Sequence, residues 1–85
     1  MIQYSISKKL DLRSQYFPLT YEKAALALKP MESGDILQMR VSATELQDSL
    51  PDRLLTEGHQ VVDIVKDGHS FLLFVMKGGM VRAKD

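Results

Sequence analysis

The chain contains no cysteine. That absence excludes a disulfide framework, a thiolate metal site and any cysteine nucleophile supplied by this chain. Nor does any apolar run approach the ~20 residues that a membrane-spanning helix needs. Neither sign of charge is in excess. Eleven Lys and Arg balance eleven Asp and Glu, so net charge gives no argument for nucleic acid, a membrane surface or an acidic partner. The opening stretch, with Gln3, Ser5, Ser7, Lys8 and Lys9, is too polar for a secretory signal, and the cytoplasm is the expected location. His59 and His69 lack both cysteine partners and HxxxH-type spacing, so no metal and no cofactor is expected. A Ser-His-Asp order, a phosphate-binding glycine loop and a paired-carboxylate site are all missing.

What is present is the composition of an ordinary soluble globular protein. The 85 residues are 45% hydrophobic and 26% charged, enough for one small domain in which a single core is only just sufficient. One domain over 1–85 is expected, its core about 10–79 and its last residues, 80–85, a loose tail.

Period-two patterning dominates the start of the chain. Ile2, Tyr4 and Ile6, then Leu10 and Leu12, argue for strand, with Lys8 and Lys9 a break or edge feature. The first strand proper is expected over about 9–13. A helix over 18–29 follows, with Pro18 as its first residue, because proline has a helical φ and no N–H to waste. Tyr21, Ala24, Ala25 and Leu28 form its apolar stripe. Pro30 ends it, and Ser33, Gly34 and Asp35 turn into a second strand over about 36–41. Ser42 and Glu45 have the spacing of a capping box, which opens a second helix reaching to about 57. Pro51 breaks that helix near Ser49 and Leu50. Its apolar side is Leu46, Leu50, Leu54 and Leu55, with Gly58 past its end. A third strand, about 60–65, joins a fourth, 71–76, through the turn signal Asp67-Gly68. The fourth is six apolar residues without a break, so it is central or dry on both faces. The order β-α-β-α-β-β predicts an α/β (α+β) two-layer sandwich, both helices on one face of a four-stranded mixed sheet.

One stretch carries more than fold. Leu10-Asp11-Leu12-Arg13-Ser14-Gln15-Tyr16-Phe17-Pro18-Leu19-Thr20 passes from strand through a short turn into a helix. It resembles the opening of the TusA/SirA-like sulfur-carrier family, roughly Leu-Asp-x-Arg-Gly-x-x-Cys-Pro-x-Pro. Leu10, Asp11, Arg13 and Pro18 match that pattern, while Ser14 replaces the glycine, Phe17 the cysteine and Thr20 the second proline. The resemblance extends over about 10–79 and includes Gly34, Pro51, His59, the Asp67-Gly68 turn and the closing Lys77-Gly78-Gly79. It implies a sheet order of 1-2-4-3, with the fourth strand inside. It implies as well a persulfide-carrying cysteine where this chain has Phe17. A helix N-terminus favours thiolate over thiol, but a phenyl ring has nothing to ionise.

The expected function is therefore that of a non-catalytic relative, a protein-binding or regulatory module rather than an enzyme. One rival is a docking component of a sulfur relay whose thiol comes from another chain. A second is RNA binding by fold analogy with the C-terminal domain of a bacterial translation initiation factor, against which the neutral charge weighs. The candidate binding surface is Arg13, Tyr16, Phe17, Pro18, Leu19 and Thr20, aromatics being over-represented at binding hot spots. Arg13 with the N–H groups of Leu19 and Thr20 is a candidate anion site. His59 is read as satisfying helix-end carbonyls. A second candidate interface is the open sheet face. If Phe71, Leu73 and Val75 point inward, then Leu72, Phe74 and Met76 point out, with Ile36, Val61 and Val65 on the same side. A protein partner is expected, a homodimer through that face being one form, with no membrane and no nucleic acid.

Overall fold

The computed structural model describes residues 5–47 and 49–78. Strand β1 (Ile6–Asp11) pairs in parallel with β2 (Ile36–Ser42), and helix α1 (Leu19–Leu28) forms the crossover between them. Two short helices, α2 (Thr44–Gln47) and α3 (Leu50–Thr56), lead to β3 (Gln60–Asp67) and then β4 (Ser70–Met76). The sheet order is β1-β2-β4-β3, with β4 antiparallel to both neighbours. The expected α+β architecture and strand order both hold.

The core explains the layering. Leu37, Met39 and Val41 of β2 and Leu73 and Val75 of β4 meet Ala24, Ala27 and Leu28 of α1 and Leu50 and Leu54 of α3. Alternation sends these strand residues to one face, and the helices cover that face. The alanines of α1 leave little side chain between helix and sheet. The buried side of α1 is Thr20, Ala24, Ala27 and Leu28, rotated from the expected stripe, with Tyr21 and Ala25 only half-buried. Leu50 and Leu54 are fully buried in α3, while Leu55, expected on the apolar side, is exposed. The break at Pro51 holds: Pro51 lies in the first turn of α3, where its missing N–H costs nothing.

The bounds of the first strand and the start of the first helix differ from the sequence expectation. The first strand begins at Ile6 and ends at Asp11, leaving Arg13 in the turn beyond it. A register shift between Ile6 and Lys8 places the lysine pair at an irregular edge, which discourages pairing with another strand. Pro18 is the N-cap rather than the first helical residue. The expected tail at 80–85 lies outside the described residues.

The parity of β4 is as expected, because Leu72 pairs with Arg40 and Phe74 with Gln38 on the face away from the helices. Val61 is a correction. A register shift between Val61 and Asp63 inserts one residue, so Val61 faces the core beside Val75 while Val65 lies opposite Leu72 on the open face. Leu72, Phe74 and Met76 are half-buried and Ile36 is buried, so the open apolar row is less wet than alternation alone suggests.

The far end of the sheet is closed by residues after β4. The Lys77 ammonium donates to the carbonyl of Leu28 (2.6 Å) at the C-terminus of α1, a carbonyl that also accepts from the Met31 N–H. Gly78 packs so tightly that a Cβ there would fall 1.6 Å from the Gly58 carbonyl oxygen. The Gly78 N–H donates to Nδ1 of His59 at 3.0 Å. His59 meets its expected role through its backbone, whose N–H caps the helix-end carbonyl of Leu54, while its ring serves as an acceptor. Burial, then the positive charge of Lys77, pushes the His59 pKa below 6.5, with Glu57 opposing.

A pH dependence of stability follows from that shift. Above the unfolded value both states hold a neutral ring, and the contribution of His59 is fully present. As pH falls below it, the unfolded chain takes a proton that the folded one declines, and the contribution is lost through the folded pKa. Urea midpoints of the wild type should therefore fall between about pH 7.5 and pH 5 more than those of His59→Gln. Parallel midpoints across that range would remove His59 as the cause.

Candidate functional site

The turn between β1 and α1 is anchored at both ends. The Leu12 N–H donates to the Arg40 carbonyl at 2.8 Å, and Leu12 itself is buried. Gln15 N–H closes the turn on the Leu12 carbonyl at 3.1 Å. The carboxamide oxygen of Gln15 is buried without a partner among the described residues. Beyond it the Phe17–Pro18 peptide bond is cis, and α1 begins.

The first N–H groups of α1 are already in use. Leu19 and Thr20 both donate to the Tyr16 carbonyl, at 2.9 and 3.3 Å. Arg13 is held by Asp11, donating from Nε at 2.9 Å and from Nη2 to the other carboxylate oxygen. That hydrogen bond holds the Asp11 carboxyl below its ordinary pKa and raises that of Arg13. The anion site expected from Arg13, Leu19 and Thr20 therefore lacks free backbone donors.

A carboxylate of the protein itself lies at this helix opening. Glu45, on α2, is fully buried, and its Oε1 accepts from the Thr20 hydroxyl at 2.6 Å. Its Oε2 accepts from the Phe17 N–H at 3.3 Å. The positive end of a helix is a favourable place for a negative group, and the two donors offset part of the cost of burying it. The capping box is thus overturned. Ser42 Oγ lies 3.0 Å from Thr44 Oγ1, and Glu45 reaches across to α1 instead of back to its own helix. Local spacing gave no sign of this. The one hint is that Thr20 brings a hydroxyl to a buried position.

The six candidate surface residues are consequently not alike. Tyr16 (59% exposed) and Leu19 (44% exposed) present apolar surface, and Arg13 and Pro18 are exposed beside them. Phe17 is half-buried and packs against the core. Thr20 is fully buried against Glu45 and is no part of a surface. The candidate interface residues Leu72, Phe74 and Met76 lie together on the other side of the sheet, in the row already described.

Residues 8–77 match the profile of the family described as "Sulfurtransferase TusA". The chain belongs to the TusA family. Three similar relatives carry related names. A "Putative sulfur carrier protein" of Thermotoga maritima is 29% identical over 70 residues, covering 82% of this chain and 89% of its own. One of the same name from Archaeoglobus fulgidus is 30% identical over 66 residues, covering 78% and 75%. From Escherichia coli K12, "Putative sulfur carrier protein TsuB" is 33% identical over 63 residues, covering 74% and 84%. Within the TusA family frame, the opening of α1 carries Phe17 and the Thr20–Glu45 pair, and this chain has no thiol to place there. Among the described residues no helix is long and apolar enough to cross a membrane.

Proposed function

We propose that this TusA family protein binds a protein partner without carrying sulfur itself, as a non-catalytic or regulatory member. The observation that carries this reading is the chemistry at the helix opening. No cysteine is present anywhere in the chain, and a buried carboxylate accepts the Phe17 N–H, where a thiolate would otherwise gain stabilisation. Tyr16 and Leu19 remain exposed around that opening and supply an apolar contact surface.

Incubation with a cysteine desulfurase and sulfur-labelled cysteine should leave the chain unlabelled once non-covalent sulfur is removed. Stable label on this chain would overturn the reading. Phe17→Cys alone is expected to remain a poor acceptor, because the Glu45 carboxylate opposes a second negative charge beside it. The family names of the relatives favour a second reading, a docking component of a sulfur relay in which another chain supplies the thiol. Binding to a cysteine-bearing sulfur carrier that is lost in Tyr16→Ala would support that version. A homodimer through the row Leu72, Phe74 and Met76 is a further form of partner. Sedimentation equilibrium decides it, since Phe74→Glu should dissociate such a dimer.

A further inference from the structure

At the end of the open face where β1, β2 and the β3–β4 turn converge lies a hollow of about 450 Å³. Its walls are Arg13, Arg40, Ser42, Asp67, His69 and Ser70, with Gly68 between the turn residues. We propose that this hollow is a binding site for a small polar molecule bearing a phosphate ester. The hollow shares Arg13 with the candidate surface at the opening of α1, but the proposal does not depend on the protein-binding reading.

The walls combine fixed positive charge with hydroxyls. Arg40 is held from two sides, donating from Nη1 to the Ser70 hydroxyl at 2.7 Å and from Nη2 to Asp67 at 2.8 Å. The Ser70 hydroxyl in turn donates to the Asp67 carbonyl at 3.1 Å, and Ser70 is only 6% exposed. The guanidinium is therefore oriented before any ligand arrives. Two of its five N–H groups serve this scaffold, and a guanidinium edge suits the paired oxygens of a phosphate. Arg13 supplies a second guanidinium to the lining. Its pair with Asp11 is solvent-exposed, and such pairs contribute little and exchange readily. Each guanidinium is paired with one carboxylate, Arg13 with Asp11 and Arg40 with Asp67, so the hollow offers oriented donors rather than an excess of charge.

The size and the remaining groups narrow the ligand class. The hollow exceeds what an inorganic phosphate fills and falls in the range of small-molecule sites. No aliphatic side chain lines it, and the imidazole of His69 supplies an aromatic ring. Ser42, His69 and the Asp67 carboxylate can hydrogen-bond the hydroxyls of such an ester's body.

The probes are inorganic phosphate, ribose 5-phosphate and a short oligoribonucleotide without terminal phosphate, each titrated against matched sodium chloride. Amide shifts of the full chain give the readout. Ribose 5-phosphate should cause saturable shifts centred on Gly68, His69 and Ser70, and should bind more tightly than inorganic phosphate. Arg40→Gln should weaken it on the order of tenfold, the loss expected for a charge-assisted contact. Arg13→Gln, which disturbs only an exposed pair, should weaken it too, so a fold defect in the Arg40 variant cannot account for the result. Shifts no larger than those in sodium chloride, or undiminished in both variants, would overturn the proposal. Equal affinity for the two phosphates would overturn recognition of the ester body. Tighter binding of the oligoribonucleotide would overturn the small-molecule assignment.

Discussion

Glu45→Ala should destabilise the fold by about 2–4 kcal/mol, the largest loss expected from any polar substitution in this chain. The truncation removes an acceptor from two donors, the hydroxyl of the fully buried Thr20 and the N–H of the half-buried Phe17. Leaving a buried donor unmatched costs about 1–3 kcal/mol, whereas the intact bond to a charged group contributes roughly 1.5–3. Against this stands the desolvation of the carboxylate itself, which Glu45→Ala relieves. For that reason the double variant Thr20→Val, Glu45→Leu should cost clearly less than the sum of the single losses. Its apolar side chains leave only the Phe17 N–H without a partner. A coupling of about 0.5–3 kcal/mol between the two positions is expected from urea unfolding of the four proteins. Single losses below about 0.5 kcal/mol, within the scatter of surface substitutions, would mean that Glu45 is not sealed in as described.

Leu73→Ala should cost about 2–5 kcal/mol, and Leu72→Ala about 1–2. The two residues are neighbours on the same strand, so propensity and backbone pairing are shared and burial alone separates them. Leu73 is fully buried in the core between Met39 of β2 and Ile64 of β3, its register partners. Leu72 lies on the open face, half-buried, opposite Arg40 and Val65. A domain of this length holds roughly 0.05–0.15 kcal/mol per residue, so the Leu73 variant removes a large part of the total. Chemical denaturation with a shared m-value measures both. Equal losses at the two positions would mean that the open row is as dry as the core, the result a tightly covering partner would produce.

Much of the fold was legible because it depends on short-range chemistry. The six apolar residues of β4 announce a central strand, and β4 is bonded on both edges. Pro51 marks the break between α2 and α3, and Asp67-Gly68 marks the hairpin, with Gly68 at a positive φ of 65°. The motif from Leu10 to Thr20 identified the family and with it the strand order. Val61 was misplaced because alternation counts residues, and the inserted residue before Asp63 resets the count for the rest of β3. Glu45 was misread for a different reason. A capping box is a local pattern, and the donors that win its carboxylate lie 25 and 28 residues away in sequence.

By itself the sequence determined the chemistry this protein lacks and the elements it forms. Absent thiols, turn residues and the period of apolar side chains are properties of the chain alone. Only the tertiary structure decided where the polar groups are used. Thr20 and Glu45 meet because α1 and α2 cover the same face of the sheet, and Arg13, Arg40 and Ser70 surround one hollow because β2 lies between β1 and β4. The physical reason is that hydrogen bonds and ion pairs are satisfied by whichever partner packing brings within about 3 Å. That choice is made by register and by the packing of helices on the sheet, which no local run of residues encodes.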